Sequence, residues 1–201
     1  MTVASDDVKF DPTAQRAPGA KVRVLETAST LFYAEGIRIV GIDRLISTSK
    51  VTKATFYKHY GSKDRLILAY VEARHVAEVA RFEAIREENP QPEQALRAIV
   101  ASTVAEIASP EFRGDAFLNA ASEFSDGHHP VRALVLRHRE WLTGFFVELF
   151  QGLGHRMPGD AADDIILARD GAMSGGYAGD PIAASASLSR ITDQVIRAAA
   201  S

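Results

Sequence analysis

With 201 residues, 46% of them hydrophobic and 24% charged, the chain has room for a sizeable core and lacks the composition of a disordered polymer. It contains no cysteine, which excludes disulfides, thiolate nucleophiles, thiol redox chemistry and cysteine-ligated zinc, and fits a reducing, cytoplasmic setting. The net charge of −3 is unevenly spread: residues 16–65 hold ten Lys and Arg against four acids, a local +6 that leaves −9 for the remainder, as expected when one module faces a polyanion and the other does not.

Residues 1–18 are polar, carry Asp6 and Asp7 where a secretory signal needs cations, and read as a flexible arm. No window approaches the ~18 consecutive apolar residues of a membrane span, so no membrane partner is expected. From Lys21 to Glu35, apolar Leu25, Ala28, Leu31 and Phe32 recur at helical spacing, and Gly36 supplies a stop. Ile42–Ser49 is a second, short helix with Asp43 in its first turn. Thr52 offers a hydroxyl cap to a third that runs to about His59, and Gly61 ends it. Ser62 caps again, and a fourth helix continues for some six turns with Leu66, Ala69, Tyr70, Ala73, Val76, Ala77 and Ala80 as its apolar stripe.

Beyond the charged, proline-bearing break at residues 86–94, the pattern predicts helices over Ala95–Ala108, from Pro110 to near Phe124, from Pro130 to Phe150, over Ala161–Ala178 and over Ile182–Ala200. No strand period and no repeat survives, so the chain reads as all-helical, with about nine helices.

Two short helices joined by a tight turn, after a supporting helix, have the dimensions of a helix-turn-helix unit. Phe56 and Tyr60 suit its small core. Thr52, Lys53 and Thr55 are placed to face a major groove, where small hydroxyls touch base edges or thymine methyls. Tyr57, Lys58 and His59 supply groups for phosphate oxygens, as does Lys63 beside the free amides of the fourth helix, and Arg44 on the second helix joins them.

Residues 20–66, "VLETASTLFYAEGIR" followed by "GIDRLISTSKVTKATFYKHYGSKDRL", resemble the DNA-binding domain of the TetR/AcrR family of bacterial transcriptional regulators. The resemblance covers about a quarter of the chain. It implies a three-helix head over residues 19–62 and a helical effector-binding and dimerisation body over 63–201. It further implies a homodimer through the last two helices, a pseudo-palindromic double-stranded operator, and a small organic effector among helices four to eight, most simply releasing a repressor. No cofactor and no catalytic residue is expected. Three positions depart from the pattern: Gly41 stands where a Ser or Thr caps the second helix, Lys50 occupies a turn position usually held by Gly, and Ile46 replaces a small residue.

In the body, Asn119 and Glu123 lie one turn apart, His138, Trp141 and Phe145 share a face, and Met173 and Tyr177 complete a set of candidate effector contacts. Ala168, Ala172, Gly175, Gly176 and Gly179 leave one face nearly bare, as a close partner helix requires. His128 and His129 lack a third ligand at useful spacing, so no metal is expected. "STSK" lacks the companion motifs of acyl-enzymes, and "GLGHRM" follows no strand. Two other readings stay open at this point: a helical protein-interaction module with weakened DNA binding, and a small helical enzyme using His and Glu.

Overall fold

The computed structural model describes residues 18–199, so the expected N-terminal arm lies, but for its last residue, outside the described residues. Among these there is no strand, and nine α-helices follow in order: α1 (Ala20–Glu35), α2 (Ile42–Ser49), α3 (Lys53–Tyr60), α4 (Lys63–Glu88), α5 (Pro92–Ile107), α6 (Ala116–Glu123), α7 (Pro130–Gly152), α8 (Pro158–Ala178) and α9 (Pro181–Ala198). Prolines open α5, α7, α8 and α9, where a missing N–H costs nothing and the fixed φ favours the helix. This places the starts of α5, α8 and α9 one to three residues ahead of the periodic signal. No described helix is long and apolar enough to cross a membrane.

The segment after Pro110 is not helical as expected. It turns through Gly114 at φ +80°, and α6 starts only after Asp115, whose carboxylate Oδ1 accepts from the amides of Phe117 and Leu118 at 2.8 and 2.9 Å. A glycine in the left-handed region followed by an Asp cap is a stop and a start in succession.

Three apolar clusters hold the fold. The first joins Val24, Ala28, Phe32, Leu45 and Phe56 of the three N-terminal helices to Leu66, Tyr70 and Val71 of α4, Phe117 and Ala120 of α6, and Val131 and Val135 of α7. The N-terminal head therefore shares one core with the adjoining body. The second cluster packs Phe82, Leu96, Ile99, Phe145, Phe146, Phe150, Ile165 and Ile196 from the far halves of α4, α5, α7, α8 and α9. A third, smaller one holds Val100, Ile107, Phe112, Met173 and Leu188.

The expected stripe on α4 holds only to Tyr70. Val76, Ala77 and Ala80 are exposed, because the middle of α4 turns Glu78 inward and buries Phe82 a turn later. On α8, Gly176 serves a packing need inside this chain: an added Cβ would lie 2.7 Å from Cγ2 of Ile107 on α5. Ala172 is likewise buried within the third cluster, while Ala168 and Gly175 line an open groove between α8 and α9.

Candidate functional site

Helix α3 is short, largely exposed, and seated on the first cluster through Phe56 and Tyr60. Gly36, at φ +99°, ends α1 and donates its amide to the Phe32 carbonyl at 3.0 Å. Gly41 opens α2 with no side-chain cap. The turn from α2 to α3 runs through Lys50 at φ 52° and ψ 47°, the left-handed conformation that costs a residue with a Cβ roughly 1–2 kcal/mol. Amides of Lys50 and Val51 donate to Ser47 and Ile46 carbonyls at 3.2 and 3.3 Å, which closes the turn despite that cost. Ile46 packs half-buried against the first cluster.

Thr52 caps α3 by accepting the Thr55 amide at 3.1 Å, and the two hydroxyls lie 2.8 Å apart. Phe56 is fully buried and Tyr60 nearly so, its hydroxyl donating to the Lys21 carbonyl at 2.8 Å. With these two turned inward, Thr52, Lys53, Tyr57, Lys58 and His59 are exposed and Thr55 is half-exposed on the remaining surface. Tyr57 stands edge-on to Phe56, ring centroids 5.4 Å apart. Arg44 is exposed on α2 and paired with Glu35, Nη2 to Oε1 at 2.7 Å. Ser62 caps α4 by accepting the Arg65 amide, and Lys63 reaches back to donate to the Arg38 carbonyl at 3.1 Å.

The α1–α2 loop is clasped from the body. The Glu123 carboxylate at the end of α6 accepts the Ile37 amide at 2.8 Å and the Arg38 amide at 2.7 Å, while the Arg38 guanidinium donates to the Glu123 carbonyl at 3.1 Å. Tyr33 adds a second tie: its hydroxyl donates to the Gly114 carbonyl and accepts the Arg113 amide, both at 2.9 Å.

Between Phe117 of the first cluster and Met173 of the third, the interior is charged. Arg169 on α8 is 3% exposed and donates from Nη2 to Glu78 of α4 at 2.7 Å and from Nη1 to Asp115 at 3.0 Å. Arg81 binds Glu106 at 2.9 Å. These side chains, with Arg74, Phe117 and Met173, border a cavity of about 220 Å³. Arg74 lies over the Tyr33 ring at 4.5 Å. The Nε atoms of Arg74 and Arg169 and Nε2 of His138 are buried without a hydrogen-bond partner. His138 stacks flat on Phe117, its Nδ1 3.1 Å from Nδ1 of His75.

The field of this cluster sets its protonation. Burial pushes the Asp115 carboxyl up, but the Arg169 charge and the Leu118 amide outweigh it and hold it below the usual carboxylate range. Burial raises Glu78 despite the same arginine. Burial lowers His138 to about 3 although Asp115 opposes it, so the imidazole is neutral at pH 7.

The seven expected effector contacts fall into two groups. His138, Trp141 and Phe145 form a ring-on-ring series on α7, 5.5 and 5.7 Å between centroids, and Met173 borders the cavity. Asn119, Glu123 and Tyr177 lie apart, around a shallow cleft between α1 and α6, where Asn119 donates to the Arg113 carbonyl at 2.8 Å. Arg74, Glu78, Arg81, Asp115 and Arg169, which sequence reasoning did not single out, dominate the cavity instead. Their signal was register: Glu78 lies between buried Val71 and Phe82, and Arg169 between buried Ile166 and Met173. Of the histidine pair in the α6–α7 loop, His129 caps α7 by accepting the Val131 amide at 3.2 Å and stacks on Phe124.

Residues 24–70 match the family model described as bacterial regulatory proteins, tetR family. The chain is 40% identical to SCO4454, a TetR-family transcriptional regulator from Streptomyces coelicolor, over 90% of this chain and 96% of that one, with a TM-score of 0.87. Two further solved structures are alike in fold: sav143 from Streptomyces avermitilis, a putative tetR transcriptional regulator (24% identity, 89% and 98% covered, TM-score 0.77), and reduced NemR from E. coli (16%, 88% and 94%, 0.75). No curated protein matches the chain in sequence.

Proposed function

The chain belongs to the TetR family of transcriptional regulators, DNA-binding proteins rather than enzymes, and on that premise we propose that it is a cytoplasmic, homodimeric repressor released from a pseudo-palindromic operator by a small organic effector. The observation that carries the reading is the α3 surface: with Phe56 and Tyr60 committed to the core, Thr52, Lys53 and Thr55 are left to read bases and Tyr57, Lys58 and His59 to hold phosphates, joined by Arg44 and Lys63. In this reading residues 19–62 act as the head and 63–201 as the body. The groove along α8 and α9, bordered by Leu167, Ala168, Gly171 and Ile191, is the face offered to a second copy, and Leu167 is 65% exposed on it.

Release follows from linkage. An effector that binds better when the heads are wrongly spaced lowers DNA affinity by that preference. Support for a connection comes from Asp115, which pairs with Arg169 at the cavity and caps α6, the helix whose other end clasps Ile37 and Arg38 through Glu123. Selection of binding sites from random duplexes tests the proposal: a two-fold symmetric sequence enriched at low salt is expected, and recovery of no enriched sequence overturns it.

A further inference from the structure

Among the described residues, four of those with positive φ are glycines, Gly36, Gly61, Gly114 and Gly154, and the fifth is Lys50 at φ 52°. Glycine takes the left-handed conformation without a steric cost, and Asn and Asp take it more readily than a lysine does. The chain thus carries a strained residue at one turn where it uses glycine at the others. An outlier of this kind points to a use for its side chain.

Within the fold, that side chain does nothing that offsets the strain. Lys50 is exposed, and its ammonium enters no hydrogen bond or ion pair among the described residues. Backbone amides close the turn instead, Lys50 to Ser47 and Val51 to Ile46. The surroundings are cationic as well. From residue 45 to 63 the chain holds Lys50, Lys53, Lys58 and Lys63 and no acid. The Arg23 guanidinium on α1 donates to the carbonyl of Ser49, the residue before Lys50, at 3.4 Å. Like charges gathered at a strained turn raise the local potential, which favours a polyanion from outside. Lys50 also stands two residues ahead of Thr52, the cap of α3, so the phosphates flanking a groove that receives the start of α3 lie next to this turn.

We propose that Lys50 is a phosphate contact of the DNA-binding surface, a charge held at the α2–α3 turn at the expense of backbone strain. The inference rests on the α3 reading above and adds a residue that the family resemblance does not supply, since the family pattern usually has Gly at this turn. The test combines thermal denaturation of the full chain with binding, across a salt series, to the selected duplex and to an unrelated duplex of the same length. Lys50→Gly should raise Tm and yet weaken both duplexes on the order of tenfold at low salt, with the slope of log affinity on log salt shallower by about one per protomer. Lys50→Asn, which tolerates the left-handed turn without the charge, should bind like Lys50→Gly, and Lys50→Arg, which keeps the charge, like the parent. A structural role alone would not lower binding while raising Tm. The proposal is overturned if Lys50→Gly lowers Tm, keeps the parent's affinity and slope, or weakens the selected duplex alone. It is equally overturned if Lys50→Asn binds like the parent, or Lys50→Arg like Lys50→Gly. A parent chain that binds neither duplex refutes the DNA-binding reading and this contact with it, whereas a parent that binds while Lys50→Gly binds equally well refutes this contact alone.

Discussion

Replacing Glu123 by Ala removes both acceptors that hold the α1–α2 loop. The bonds are charge-assisted, 2.8 Å to the buried Ile37 and 2.7 Å to the exposed Arg38. Hydrogen bonds to charged groups contribute about 1.5–3 kcal/mol each, and the exposed one belongs below that range because water can replace it, so the loss should be about 2–4 kcal/mol. Since 1.4 kcal/mol is a factor of ten, the Ile37 and Arg38 amides should exchange with solvent roughly 30- to 700-fold faster. Hydrogen exchange followed residue by residue reads this directly, with amides buried in α8 as the internal control. Local acceleration at residues 37 and 38 is expected. Unchanged exchange there, or one uniform factor across head and body, would refute the clasp.

Lys50→Gly should raise stability by up to about 1 kcal/mol, because relief of the left-handed strain exceeds the entropy that Gly adds to the unfolded chain; a fall in Tm contradicts it. His138 carries a folded-state pKa of about 3 against the usual 6.5, so the unfolded chain binds the extra proton between those values and stability is lost as pH falls through that window. Between pH 6.5 and 5 this should cost about 2 kcal/mol in urea unfolding relative to His138→Gln, in which the slope should flatten; parallel curves for the two proteins would remove the argument. On a selected duplex, Lys63→Ala should weaken binding to all sequences alike while Thr55→Val changes preference at particular bases. Identical effects of the two would sink the division between readers and phosphate holders.

The head was largely legible from local rules. Gly36 and Gly61 as stops, Thr52 and Ser62 as caps and the α2 bounds all follow from single-residue chemistry that tertiary contacts reinforce. The body was less so, for identifiable reasons. The turn at Gly114 and Asp115 was hidden because Pro110 offered an earlier helix start. The charged interior was hidden because periodicity rewards apolar residues, and a buried Glu78 or Arg169 looks polar until its partners on other helices are known. Glu123 looked like a residue facing inward from α6, and only the seating of the α1–α2 loop on the end of α6 reveals the amides it holds.

In the proposed function, two α3 helices of one dimer grip one duplex. Sedimentation of the full chain with its selected duplex, repeated across a salt series, tests it most directly. Two chains per duplex are predicted, with log affinity falling linearly and steeply in log salt as phosphate contacts are lost. One chain per duplex, or binding indifferent to salt, would contradict it.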